Sequence, residues 1–165
     1  MKRITSLLTV VLFLYIFSMT AFADVYLGTG DNVDSGGHLD WDYDTTYYAE
    51  SKFAMNIWNT HKFGVIREDD IWVVQDLFVT DINSATAGYY GYRDKDNATI
   101  YFNIYYMEKL EPNQKKSVAA HEFGHALGLG HNTSDNAAIM GTNGLFPTIL
   151  HQDDKDSYDA AAEKY

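Results

Sequence analysis

The chain contains no cysteine, only two prolines and far fewer basic than acidic residues. The absence of cysteine excludes disulfide bonds, so the domain must be held together by packing or by a bound metal. With 12 Lys and Arg against 23 Asp and Glu, the formal net charge is −11. Such an acidic surface repels phosphate backbones, which argues against nucleic acid as a partner. Aromatic residues are abundant, with 13 Tyr and 9 Phe, and predict an aromatic core and groove.

The first residues have the pattern of an export signal. A basic start and an uncharged run at residues 7–17 precede Ala21-Phe22-Ala23, a triplet of the small-x-small kind that signal peptidases cleave. The alternative is an uncleaved membrane anchor, because residues 4–23 are about long enough to span a bilayer, although hydroxyl side chains dilute them. We favour cleavage. Residues 1–23 are then a signal peptide, and residues 24–165 form one secreted domain without stable membrane association.

Hydrophobic patterning predicts an α+β domain. Residues 24–37 are short of apolar side chains and rich in Gly and Asp, so we expect a loose arm. Apolar residues at helical spacing predict a first helix that is capped within residues 44–46 and ends near Thr60. Runs of β-branched and aromatic residues predict four strands. These runs are residues 71–74, 77–79, 88–92 and 99–106, with a polar turn at residues 93–97.

Two more helices are predicted in the second half of the chain. Pro112 suits the first turn of a helix, which should run from about Asn113 to Leu127. A loop-rich region follows as far as Leu150. Asp153 could cap a final helix that reaches Lys164. No internal repeat or linker interrupts this order, so we expect a single domain.

The segment His121-Glu122-Phe123-Gly124-His125 carries the strongest chemical signal. Two histidines four residues apart on a helix place both rings on one face, one turn apart. Two ring nitrogens at that separation can reach one zinc ion at roughly 2.0–2.1 Å. Glu122 projects beside the metal position, where it is suited to accept a proton from an attacking water molecule.

A zinc site needs a third ligand, and His131 is the candidate. On a continuing helix it would lie about 240° further round than His125, so the chain must turn back. Gly128 permits this, because a left-handed helix end is cheap only for Gly or Asn, and Gly130 adds flexibility. Three histidines leave a fourth position open for water. The alternative is that they are core and capping histidines, but burying such a helix face without metal would be expensive.

The residues from His121 to His131 resemble the extended zinc motif of the metzincin clan of peptidases. Ile139-Met140-Gly141 is similar to the methionine-containing turn that lies under the zinc in that clan. The alternative for Met140 is plain core filling. Within the clan the chain is most similar to the matrixins, on Val118-Ala119-Ala120 and on the Leu-x-Gln-Asp-Asp pattern of residues 150–154.

The resemblance implies a fold and a function. The fold would be a twisted, mostly parallel sheet with an antiparallel edge strand, two long helices and a short C-terminal part with the Met-turn and a final helix. The substrate would bind as an added strand along the edge, for which residues 88–92 are the candidate. Residues 144–147 would form a wall of the S1′ pocket. The chain would be a monomeric zinc endopeptidase acting on proteins or peptides.

Three departures from the matrixins leave regulation and subfamily open. The chain has no cysteine with which a latency peptide could occupy the zinc. Its other histidines, at positions 38, 61 and 151, do not reproduce the second, structural zinc site of that group. Asn132, the residue after His131, does not match the residues that commonly mark the subfamilies.

Two acidic triplets are candidate Ca²⁺ sites. Asp40/Asp42/Asp44 and Asp94/Asp96/Asn97 could bind Ca²⁺, or they could be solvated surface and capping groups, since neither has the pattern of an EF-hand loop. The alternative functions are a zinc-binding recognition module without hydrolytic activity and a zinc hydrolase of a non-peptide bond.

Overall fold

One mixed β-sheet packs against the helix on which His121 and His125 lie. The structure is a computed structural model that describes residues 24–70, 72, 74–134, 137–142, 144 and 146–165. The predicted signal peptide, residues 1–23, lies outside the described residues. Within the described part of the chain, no helix is long and apolar enough to cross a membrane.

The sheet has five strands, all parallel except the strand at one edge. In chain order the elements are β1 (Leu39–Asp44), α1 (Tyr48–Asn59), β2 (Ile66–Glu68), β3 (Leu77–Ile82), β4 (Gly91–Asp94), β5 (Thr99–Asn103), α2 (Ile104–Met107), α3 (Pro112–Ala126) and α4 (Gln152–Ala162). The strand order is β2-β1-β3-β5-β4, and β4 pairs antiparallel with β5. The predicted mixed sheet with an antiparallel edge strand and two long helices is therefore confirmed.

The core lies between one face of this sheet and the helices α1 and α3. Trp41 and Leu77 are register partners on β1 and β3, and both are fully buried. The ring of Trp41 meets the edge of Phe123 from α3, with centroids 5.5 Å apart. On α1, the indole N–H of Trp58 donates to the Ala120 carbonyl of α3 (2.8 Å). This bond satisfies a buried polar group and fixes α3 relative to α1.

The strands that precede β3 differ from the prediction. β1 and β2 were not predicted, and the strand predicted at residues 71–74 is wrong for Trp72 and Val74, which are exposed and outside any strand. Asp70 explains the difference, because its carboxylate accepts the Trp72 N–H (2.8 Å) and so forms a local turn. Ile71 and Val73 lie outside the described residues.

The edge strand begins three residues later than predicted, at Gly91. Asn103 causes the shift, because its side-chain amide donates to the carbonyls of Ser84 and Tyr89 (2.8 and 3.2 Å) and holds the preceding segment as a loop. The predicted turn at residues 93–97 is displaced in the same direction, to residues 95–98. Residues 104–106, predicted as the end of a strand, belong instead to α2.

The caps of two helices also differ. The N-cap of α1 is Tyr47, after the predicted residues 44–46, and Thr45 instead accepts the Tyr47 N–H through its hydroxyl (3.0 Å). The N-cap of α4 is His151 in place of Asp153, and it forms a capping box with Asp154. The third helix, α3, lies within one residue of its predicted ends.

The N-terminal segment, residues 24–32, is bound to the rest of the domain and is not a loose arm. The main-chain N–H of Gly28 donates to the Gly128 carbonyl (2.8 Å), and that of Gly130 donates back to Tyr26 (2.9 Å). Leu27 and Leu129 form an antiparallel bridge. Composition did not reveal this pairing because it depends on a partner more than 100 residues away, and it supports the loop that leads to His131.

Candidate metal centre

The helix α3 presents His121 and His125 on the face that looks into a cleft. Their ring centroids are 4.8 Å apart, as expected for residues one turn apart. Each ring is oriented by a main-chain carbonyl: Nδ1 of His121 donates to Ile139 (2.8 Å), and Nδ1 of His125 donates to Leu129 (2.9 Å). Such bonds fix the tautomer and leave Nε2 of each ring with a lone pair for a metal.

The helix ends at Gly128 in the way that the sequence predicts. Gly128 has φ +88°, in the left-handed region, and its N–H donates to the His125 carbonyl (3.0 Å). The N–H of Leu129 donates to the Gly124 carbonyl (3.0 Å). Together these bonds form a Schellman motif, which satisfies the last carbonyls of α3 and reverses the chain. The reversal brings His131 back towards α3.

His131 completes a cluster of three imidazoles. Its ring centroid lies 5.1 Å from that of His121 and 4.7 Å from that of His125. The Nε2 atoms of His125 and His131 are 3.1 Å apart, and the ligand atoms of the three residues all lie within 4.8 Å of one another. Three nitrogens around one tetrahedral zinc ion at 2.0–2.1 Å would be about 3.3 Å apart. The donor set and its spacing therefore fit zinc.

The protonation states of the histidines also fit a metal. Burial lowers the pKa of His121 to about 4, against the hydrogen bond to Ile139, and lowers that of His125 to about 3. Both rings are therefore neutral at pH 7. A neutral imidazole is the form that binds a metal.

Glu122 lies beside the three histidines and is almost completely buried, with 6% of its surface exposed. Burial raises the pKa of its carboxyl to about 8, while a main-chain hydrogen bond from Arg93 and the charge of that arginine act in the opposite direction. A carboxylate in such an environment is a stronger base than one in water. Glu122 also lines the cleft that contains the three histidines.

Met140 lies under the cluster in a tight turn. It is 1% exposed, and the turn is closed by the Gly141 N–H donating to Ala138 (3.0 Å). A Cβ added to Gly124 would lie 2.3 Å from its sulfur, so the thioether packs directly against α3 beside His125. The N–H of Asn132 donates to the Met140 carbonyl (2.8 Å), which ties this turn to the segment after His131.

Asp154 anchors the Met140 turn from α4. Its carboxylate accepts the N–H groups of Ile139 (2.9 Å), Met140 (3.1 Å) and His151 (2.9 Å). The residue is 1% exposed, and burial raises its pKa while these hydrogen bonds act to lower it. Because Ile139 orients the ring of His121, Asp154 supports a ligand through one intermediate residue. The buried Asn132 is held from the same helix by Asp153 (3.0 Å).

The cluster lies at the bottom of a cleft of about 710 Å³. One side is β4 with the preceding Tyr89 and Tyr90, and the other includes Gly144, Phe146 and Pro147. The rings of Tyr90 and Phe146 meet edge to face across it, with centroids 5.9 Å apart. The cleft thus contains most of the segment predicted to form a pocket wall, and Leu145 lies outside the described residues.

The acidic triplets lie away from this cleft. Among the described residues, Asp34, Asp40 and Asp76 form a second group of neighbouring carboxylates, but both oxygens of Asp40 accept hydrogen bonds from Arg67 (2.8 and 2.6 Å). Asp94 accepts N–H groups within its own turn (3.0 and 3.3 Å). These contacts describe an ion pair and a turn, and Ca²⁺ binding at either predicted triplet stays a prediction.

The structure brings together the histidines, Glu122 and Met140 that the sequence singled out, and it adds three residues that contact this group. Asp154 was noticed only as part of a family pattern. Gly91 and Arg93 were assigned to a strand and a turn without a role at the site. Their contacts with Glu122 come from the meeting of β4 and α3, and a local pattern cannot reveal such a contact.

The fold and the three-histidine cluster are those of a zinc metallopeptidase of the metzincin type. The family model described as Matrixin matches residues 21–160. The chain belongs to the matrixin family, as its motifs predicted. Solved structures with a similar fold include archaemetzincin from Methanopyrus kandleri, with a TM-score of 0.54 and 12% identity over 79% of this chain and 99% of that chain. No curated protein sequence matches the chain.

Proposed function

We propose that this chain is an exported zinc endopeptidase in which Glu122 is the general base. The observation that carries the proposal is the position of a buried carboxylate, with a raised pKa, beside three converging imidazoles in an open cleft. Family membership supports zinc and peptide-bond hydrolysis. The sequence pattern of residues 1–23 supports export, and we expect the mature domain to act as a monomer.

His121, His125 and His131 are the proposed zinc ligands. When bound there, zinc would act as a Lewis acid, which polarises the scissile carbonyl and makes water a better nucleophile. The carbonyls of Ile139 and Leu129 keep the Nδ1 atoms of two ligands occupied, so that each presents Nε2 to the ion. These rings are neutral before the metal arrives, and so little or no proton release is needed at neutral pH.

Glu122 carries the proton in the proposed reaction. As water attacks the carbonyl carbon, the Glu122 carboxylate accepts a proton from it, and the carboxyl then donates that proton to the nitrogen of the leaving amine. The C–N bond breaks, and the acyl fragment keeps the oxygen of the water. The raised pKa makes the carboxylate a stronger base, which suits the first step, and the same group then donates the proton that it has accepted.

The edge strand β4 is the proposed binding site for the substrate main chain. Strand β5 occupies only one side of β4, so the other side offers peptide groups to an extended peptide. Because Gly91 lies beside Glu122, we expect the scissile bond to bind near this residue. The Tyr90 and Phe146 end would then receive the primed side chains, and the Arg93 end would receive the residues before the scissile bond.

The experiment that tests the proposal is cleavage-site profiling on a peptide library, with the mature chain before and after removal of metal by a chelator. We expect internal cleavage that is lost on chelation and restored by Zn²⁺. Glu122→Ala should keep stoichiometric zinc and lose activity by about 10²–10⁴-fold, the usual contribution of a general base. Zinc binding without any cleavage would favour a recognition module, and hydrolysis confined to non-peptide substrates would favour a different hydrolase. An unchanged rate in Glu122→Ala would refute the role of Glu122.

A further inference from the structure

Gly91, the first residue of β4, leaves a space that the side chain of Glu122 fills. A Cβ at position 91 would lie 2.8 Å from Cγ of Glu122 and 3.0 Å from its Oε1. Such distances are shorter than ordinary contacts between these atoms. Glu122 is buried, so it cannot move aside freely. The φ angle of Gly91 is not in the left-handed region, and so it is the close approach, not the backbone conformation, that requires glycine.

Arg93, two residues along the same strand, has its main-chain N–H on the open edge of the sheet. The Asn103 N–H donates to the Tyr90 carbonyl (2.8 Å), so the peptide groups of Tyr90 face β5. Peptide groups alternate in direction along an antiparallel strand, and those of Gly91 and Arg93 therefore face the open edge. The Arg93 N–H is thus not used by the sheet, and Arg93 acts to lower the pKa of the Glu122 carboxyl against the effect of burial.

The side chain of Arg93 fixes this part of β4 in place. Its Nε donates to Oδ1 of Asn32 (2.9 Å) and its Nη1 donates to the Gly30 carbonyl (3.0 Å). Both acceptors belong to the N-terminal segment. The side chain of Arg93 is therefore bound to a separate segment, which restrains this part of β4 from sliding along the sheet edge.

We propose that Gly91 and Arg93 are positioning residues for the general base. Gly91 provides the space in which the carboxylate of Glu122 lies, and the Arg93 N–H sets its orientation. This inference rests on the proposed role of Glu122. Its consequence is that one strand positions both reactants, because the edge that would bind the peptide also contacts the base.

The kinetic test is Gly91→Ala in the zinc-loaded mature chain. The added methyl group should displace the carboxylate by a fraction of an ångström to about 1 Å, a displacement that can cost about 10²-fold in rate. We therefore expect kcat to fall by about 10–100-fold, with zinc content and melting temperature retained. Gly36→Ala is the matched control, because Gly36 also has an ordinary φ angle and lies outside the cleft. A rise in KM with kcat unchanged, or a loss that follows the loss of zinc, would overturn the proposal.

A second test does not depend on activity. Amide hydrogen exchange, followed residue by residue by NMR, should show that the Arg93 N–H of the zinc-loaded chain is protected. Glu122→Ala should lower this protection at least about 10-fold, which is roughly the effect of losing one charge-assisted hydrogen bond. The amides of Tyr92 and Asp94 face β5 and should keep their protection. Unchanged exchange at Arg93 overturns the proposed contact. If the wild-type chain cleaves no peptide but Arg93 still loses protection, the contact is correct and the proposed function is what has failed.

Discussion

At the scale of single residues, the site depends on two glycines. At each of them a side chain would prevent either the backbone conformation or a close contact with a neighbouring group. Gly128 is the clearest example, because its left-handed φ of +88° lets α3 end and His131 return. Gly91 is required for a different reason, since the neighbouring carboxylate occupies the space of a Cβ. Both glycines affect the metal centre without being candidate ligands. Gly128 is required for its backbone conformation and Gly91 for its small size, so different substitutions test the two requirements.

We expect Gly128→Ala to be less stable than Gly128→Asn. Both variants add the same Cβ, which would lie 3.2 Å from Cβ of Asp31. Only Asn tolerates the left-handed conformation well, whereas other L-residues lose roughly 1–2 kcal/mol there. The difference between the two variants in urea unfolding should therefore be about 1 kcal/mol, and Ala should also show the weaker zinc affinity. Equal stability of the two variants would show that crowding by Asp31, not the backbone conformation, decides the cost.

At the scale of elements, the hydrogen bonds of Asp154 connect α4 to the turn that carries Met140. Asp154→Ala would remove the acceptor of two buried N–H groups, those of Ile139 and Met140, and of the part-buried N–H of His151; each buried group left unpaired costs about 1–3 kcal/mol unless water replaces the carboxylate. We expect a loss of at least about 3 kcal/mol in the free energy of unfolding, together with weaker zinc binding, because Ile139 orients His121. Asp156→Ala on the same helix should change stability by less than about 0.5 kcal/mol, since its contact with Gln152 is exposed. Equal effects of the two variants would contradict this role.

With the exception of β1, the elements whose pattern is complete within their own residues were the ones that the sequence predicted. Helix α3 carries its ligands at one-turn spacing and its stop signal at Gly128, so helix, chain reversal and all three histidines could be predicted. β1 was missed although the Leu-Asp-Trp-Asp-Tyr-Asp run of residues 39–44 alternates as a strand should. β2 has three residues, too few for any periodicity. Trp72 and Val74 led to the opposite error, a predicted strand that the structure does not have at these residues. A hydrophobic run predicts a buried strand, but both side chains are exposed.

Residues that meet only in the folded chain could not be predicted in this way. Arg93 and Glu122 are 29 positions apart, and Asp154 lies 14 positions from Met140. Nothing in the sequence near Arg93 distinguishes it from other polar residues at the end of a strand. Its role follows from the antiparallel pairing of β4 and from the packing of that strand on α3. The supporting residues of the site therefore became visible only with the structure.

At the scale of the whole molecule, the N-terminal segment joins parts that are distant in sequence. It pairs with the loop that leads to His131, and the Tyr26 N–H donates to the Ser157 hydroxyl of α4 (3.0 Å). We expect deletion of residues 24–30 from the mature chain to leave the sheet and α1 folded, because the core residues lie elsewhere. Zinc affinity should fall by about 10-fold or more, since the loop loses two main-chain hydrogen bonds of about 1 kcal/mol each. Isothermal titration with Zn²⁺ measures this, and unchanged affinity would show that α3 and the Met140 turn hold His131 unaided.

The metal should also contribute to the stability of the whole domain, because its ligands come from α3 and from the segment after the chain reversal. Zinc that binds only the folded chain adds about 4 kcal/mol at a free concentration 1,000 times its Kd. We expect the melting temperature to rise with Zn²⁺ and to fall on chelation. In His131→Ala the response to Zn²⁺ should be much smaller, whereas His61→Ala, which removes a histidine paired with Asp159 outside the cleft, should keep it. Because the core of Trp41, Trp58 and Phe102 is complete without the site, the metal-free chain should still unfold in one transition at a lower temperature. Loss of all cooperative unfolding on chelation would instead show that zinc is required to form the fold itself.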